Sequence, residues 1–177
     1  MSQPVLEFWF EELTPKQWWA VNSEFDAAIT KRFSPLLQQA IAGELCNWRD
    51  TAQGRLAEII LLDQFSRNIY RNTPGAFAQD ALAVALSQEA VSRGCLSELN
   101  DTERAFMLMP YMHSESALIH QQAEPLFAKH APNNLDFEIR HKAIIDRFGR
   151  YPHRNEILGR ESTAEEIDFL KQPGSSF

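Results

Sequence analysis

The chain has 177 residues, 44% hydrophobic and 23% charged, with a formal net charge of −7. That is the make-up of one globular domain with a real core, and it leaves too little length for two comfortable ones. The acidic balance disfavours nucleic acid and anionic membrane as partners. Two cysteines, Cys46 and Cys95, are too few for a disulfide framework or a zinc knuckle.

Helical periodicity runs through the whole chain and no segment reads as a strand. Met1 to Phe10 lacks the basic-then-apolar order of a signal peptide, and no apolar run approaches transmembrane length, so a cytoplasmic location is the default. Residues 23–42 read as a helix with Ser23 as cap, Asp26 completing a short capping box, and an apolar stripe from Phe25 to Ile41. Pro35 predicts a kink or break within it. Residues 51–71 form the clearest helix, capped by Thr51. A third starts at Thr73-Pro74 and runs to Ser92, with Gly94 as the stop. Asn100 to Glu103 forms a capping box that opens a helix through Met107 and Met109, and Pro110 predicts a break or bend. Ser114 or Ser116 restarts the helix towards Lys129, Leu135 to Phe148 is the next, and Ser162 to Glu165 caps a short last one. The reading is an all-α fold of antiparallel helical pairs in a single domain over residues 1–171, with 172–177 a frayed tail.

Positive charge is shared unevenly. Residues 140–160 carry six arginines and lysines against Asp146 and Glu156, a local net of +4 in a chain of net −7. Arg147, Arg150, Arg154 and Arg160 lie in this stretch with Tyr151, His153 and Asn155. The helix dipole accounts for Arg147 at a helix end. The others need carboxylates from elsewhere in the fold or an anionic ligand, and a bias of twelve arginines to five lysines favours planar, bidentate contacts.

Two further polar groups stand out. Asp63, Gln64, Arg67, Asn68 and Arg71 share one face of the helix at 51–71 and include no lysine or glutamate. The face reads either as a solvated surface with an Asp63–Arg67 pair or as part of a ligand site or buried network. Near Pro110, Tyr111, His113 and Glu115 cluster, and a histidine beside a carboxylate at a helix interruption suits a general base; it equally suits satisfaction of loose helix-end groups. Glu138 and His141 have E-x-x-H spacing, but a di-iron bundle needs a second copy that the chain lacks. Nothing fixes His113, Glu115, His120 and His141 near one another, so no metal site is expected. No G-x-G-x-x-G, P-loop, G-x-S-x-G or H-E-x-x-H occurs, so no cofactor is implied by any motif.

Leu62 to Asn68, Glu103 to Phe106, Pro110 to Glu115 and the Arg147–Arg160 run resemble the bacterial domain of unknown function 924 family, from Val5 to Glu166. The resemblance implies a tetratricopeptide-like helical fold and no established activity. The residues themselves lead to one expectation: a polar pocket built from the three clusters that binds a small anionic molecule. His113 and Glu115 would then be the catalytic pair if protons are transferred, with Arg67 and Arg154 stabilising negative charge. A tetratricopeptide-like groove gripping a peptide carboxylate and an internal salt-bridge network without a ligand are the alternatives.

Overall fold

The computed structural model describes residues 2–177, and among them there are only helices, turns and loops. No helix is long and apolar enough to cross a membrane among the described residues. Among the described residues nine α-helices follow in chain order: α1 (Gln3–Leu6), α2 (Ser23–Ile41), α3 (Ala52–Ile60), α4 (Ser66–Ile69), α5 (Asp80–Ser92), α6 (Asp101–His113), α7 (Ala117–His130), α8 (Leu135–Phe148) and α9 (Ala164–Leu170).

Helix α3 is the axis of the molecule. Eight of its residues are buried, among them Arg55 and Glu58, which are paired with Glu89 and Arg49. It packs against α1, α5 and α6. Leu56, Ile59, Ile60, Leu61, Leu62 and Phe65 have no exposed surface and form the centre of the core. Phe65 meets Phe33 at 4.8 Å and Trp9 at 5.4 Å between ring centroids, so α2 and the turns that follow α1 and α3 share one aromatic cluster.

The helix from residue 52 to 69 is continuous but not uniform. A π-helical turn, Leu61–Phe65, separates α3 from α4. It widens the helix where Asp63 and Gln64 sit, and both are buried. Beyond Tyr70 the chain turns at Asn72, which takes φ 61°, a left-handed conformation that asparagine tolerates better than most residues.

Several termini differ from the sequence reading by one residue. Asn22, not Ser23, caps α2, its side chain accepting from the N–H groups of Glu24 and Phe25 at 2.9 and 3.0 Å. Asp26 is thereby free for another role. The last capping box is Thr163 with Glu166, one step later than read. Thr51 and the Asn100–Glu103 box are as expected. Residues 74–92 are not one helix, because a short 3₁₀ turn at Pro74–Ala76 precedes α5. The prolines at 35 and 110 do not break their helices. Pro35 is exposed, as is Lys31 one turn before it, so water can satisfy the carbonyl the proline frees. Residues 172–177, expected to fray, make contacts here: Ser175 is buried and donates to the Leu170 carbonyl, and the Phe177 ring lies 3.7 Å from that of His141.

Candidate functional site

The arginine run resolves into clamps. Arg147 pairs with Glu165, Arg150 with Glu166, Arg154 with Asp80 and Arg160 with Glu115. Arg150 holds Glu166 through two bonds of 2.7 and 2.8 Å and also reaches the Glu161 carbonyl, which ties α9 to the chain after α8. Glu166 is held down to about 2, chiefly by the Arg150 hydrogen bond. Arg160 donates twice to Glu115, at 2.6 and 2.9 Å, and further to Asn155 and to the Tyr151 carbonyl. Carboxylates from α9, α5 and the α6–α7 connection thus hold this positive segment in place.

Of the arginines in the run only Arg154 lines a large cavity, of about 820 Å³, together with His153 and Ile157, a size that suits small-molecule sites. Its lining includes Gln64 of the π turn, Arg67 and Asn68 of α4, Arg71 just beyond α4 and His113 at the end of α6. Apolar side chains complete it, among them Trp18, Trp19, Phe106, Met109, Met112 and Phe137, with Met109 Sδ 3.2 Å from Gln64 Nε2. Phe106 fixes this surface, since Trp18 stands edge-on to it at 5.0 Å and Trp19 stacks on it at 6.2 Å.

Behind the polar wall lies a row of carboxylates. Asp26 of α2 accepts from Arg71 and from Asn68. Asp80, first residue of α5, accepts from Arg67 at 3.0 and 3.1 Å and from Arg154 at 3.1 Å. Asp63, 1% exposed, accepts from Gln64 at 2.6 Å and His113 Nδ1 at 2.7 Å, and pairs with Arg67 at 3.1 Å while Arg67 Nη1 donates to the Asp63 carbonyl at 2.9 Å. None of these three aspartates lines the cavity, whereas Arg67, Arg71 and Arg154 do. The carboxylates orient the guanidinium groups, and it is the arginines that line the cavity. Phe77 and Tyr151 sandwich Arg154, at 4.5 and 4.7 Å from its guanidinium carbon, and its Nη2 donates to the His113 carbonyl at 3.0 Å. Its Nε is buried without a partner.

The electrostatics follow from this arrangement. Burial would raise Asp63, but the Arg67 charge, His113 and two hydrogen bonds outweigh it and hold the carboxyl far below its usual range. An ionised carboxylate only accepts, so His113 Nδ1 carries the proton. Burial also draws His113 below the ordinary imidazole value, against the pull of Asp63. His153 falls to about 4, first through burial and then through Arg154.

Of the residues singled out in the sequence, Asp63, Gln64, Arg67, Asn68, Arg71, His113, His153 and Arg154 come together around this cavity. Four do not. Tyr111 packs into the core, where burial pushes its phenol up to about 12. Arg150 and Asn155 brace the 150–166 segment. Glu115 is bound by Arg160 and by the Tyr151 N–H at 2.7 Å. The carboxylate against His113 is therefore Asp63, fifty residues away in sequence, and not Glu115 two residues on. Sequence reasoning missed that pairing and missed Asp80. The signal for Asp63 was an acid set directly against the apolar residues Ile59 to Leu62.

Glu138 and His141 do not cooperate either. Glu138 accepts from His120 at 2.7 Å, both fully buried, while His141 donates from Nδ1 to the Phe137 carbonyl. Among the described residues no three His, Cys, Asp or Glu are grouped to hold a metal ion.

The fold and site thus define an all-helical domain whose central helix presents an arginine-bearing polar wall to an aromatic-lined cavity. The chain belongs to the family of bacterial proteins of unknown function DUF924, which it matches over residues 5–174. It is similar in structure to a protein of unknown function from Agrobacterium tumefaciens, with a TM-score of 0.91, 35% sequence identity and 96% of each chain covered. No curated protein matches it in sequence.

Proposed function

We propose that the cavity binds a small organic anion with an apolar body. The carboxylate or phosphate would sit on the donor edges of Arg67, Arg71 and Arg154, and the body against Trp18, Phe106 and Met109. One observation carries this reading: the arginines line the cavity while Asp26, Asp63 and Asp80 stand behind them. A network serving only to fix helix packing has no need of a cavity that its donors share with apolar side chains. Matched probes test it. 4-Phenylbutanoate is expected to raise the melting temperature and 4-phenylbutan-1-ol is not, since ligand stabilisation follows saturation. Arg71→Gln keeps the Asn68–Asp26 bond and should weaken the anion about tenfold, the worth of one charge-assisted hydrogen bond. Equal response to the acid and the alcohol would refute the anion reading.

A groove for a peptide carboxylate is the second reading. Trp19 (62% exposed), Val21 (79%) and Phe137 (53%) flank the cavity mouth and offer apolar surface to a longer occupant. Tighter binding of N-acetylated tripeptides than of 4-phenylbutanoate favours it.

A further inference from the structure

Binding alone leaves one feature of the wall without a use. His113 Nδ1 is spent on Asp63, and Asp63 is itself fully engaged, with Gln64 on one oxygen and Arg67 and His113 on the other. Nε2 of the same ring has no hydrogen-bond partner among the described residues. It is not among the sealed, unpartnered atoms, and the ring lies on the cavity wall. The Arg154 bond to the His113 carbonyl fixes the backbone beneath the ring. A neutral imidazole held by a buried carboxylate, its second nitrogen turned to a cavity, is the geometry of a general base.

We propose that His113 is that base, with Asp63 as its positioning residue, acting on an organic anion that carries a labile proton close to its charged group. The proposal rests on the anion reading above. The substrate class follows from the geometry: Arg67 and His113 meet the same oxygen of Asp63, at 3.1 and 2.7 Å. An anion on Arg67 therefore has only its nearest atoms beside the imidazole. A 2-oxo carboxylate meets the requirement. Its C3–H bond breaks, the proton bonds to Nε2, and the electron pair forms the C2–C3 double bond as the carbonyl oxygen becomes an enolate. Arginine N–H groups hold that oxygen, Asp63 stabilises the imidazolium, and return of a proton to carbon completes the cycle with no change of oxidation state.

Deuterium exchange at C3 of 4-phenyl-2-oxobutanoate, followed by proton NMR in D₂O, tests this. Wild-type protein should exchange it about a hundredfold faster than His113→Gln, the usual worth of a general base. Both proteins should still bind 4-phenylbutanoate. Equal rates with binding intact overturn the base and leave the pocket standing; no binding by either overturns both. Because His113→Gln leaves Asp63 buried with one partner fewer, ¹⁵N-histidine spectra of the wild type provide an independent check. A pyridine-like Nε2 and a protonated Nδ1 are expected at pH 7, and the opposite tautomer or an imidazolium overturns the proposal. Asp63→Asn should lose that tautomer signature together with the exchange; an unchanged spectrum and rate would overturn the positioning role.

Discussion

Asp80→Asn separates the two jobs of the polar wall. Asp80 is the shared anion of two arginines, bonding Arg67 through both oxygens and Arg154 through one. Arg154 is only 4% exposed and already has one buried donor unmet. Removing the partner of so buried a charge costs about 3–5 kcal/mol. At about 2–4 °C per kcal/mol for a domain of this size, the melting temperature should fall by roughly 6–20 °C. The lower half of the range is expected, because Arg67 keeps Asp63. The same substitution leaves positive charge uncompensated on the cavity wall, so 4-phenylbutanoate should bind more tightly, by about tenfold. Scanning calorimetry gives the first quantity and isothermal titration the second. A melting temperature unchanged within 2 °C, or an affinity that drops, would refute the reasoning.

Three other outcomes are expected. His141 is pushed down to about 3 by burial, so between pH 6.5 and 3 the unfolded chain holds a proton that the folded one refuses. Stability is therefore present above pH 6.5 and lost as pH falls, by about 2 kcal/mol at pH 5, and chemical denaturation of His141→Gln should show that much less pH dependence. Gly54→Ala should destabilise by more than about 3 kcal/mol in urea melts, since a Cβ there stands 1.9 Å from the Trp48 carbonyl oxygen, a backbone atom. Glu115→Gln should cost about 1–2 kcal/mol by weakening its bonds to Arg160 and Tyr151, while the stabilisation given by 4-phenylbutanoate stays as in the wild type.

How much of this was legible in the sequence depended on the range of the interaction. Helices such as α8, with Gly149 in the left-handed conformation at its end, and the Asn100 capping box were readable because their causes lie within a few residues. The three polar clusters were recognised as belonging together, and the cavity draws on all of them. What failed was partner assignment. Glu115 is the acid nearest His113 in sequence, but the helix ends at His113 and the connection carries Glu115 towards Arg160 instead. Asp63 and Asp80 become partners of Arg67 only once α3, α5 and α6 pack, and no local spacing encodes that. The π turn at Leu61–Phe65 was equally hidden, because its residues carry an ordinary apolar helix pattern. The arginine run called for carboxylates from elsewhere in the fold or an anionic ligand; Arg147, Arg150 and Arg160 are matched by Glu165, Glu166 and Glu115, and of its arginines only Arg154 lines the cavity.

The most direct measurement is a crystal structure with 4-(4-bromophenyl)butanoate bound, located by the anomalous signal of bromine. The account predicts bromine among Trp18, Phe106 and Met109, with the carboxylate on Arg67, Arg71 or Arg154 and the aspartates still behind them. A carboxylate pointing away from the arginine wall, or an empty cavity at saturating ligand, would contradict it.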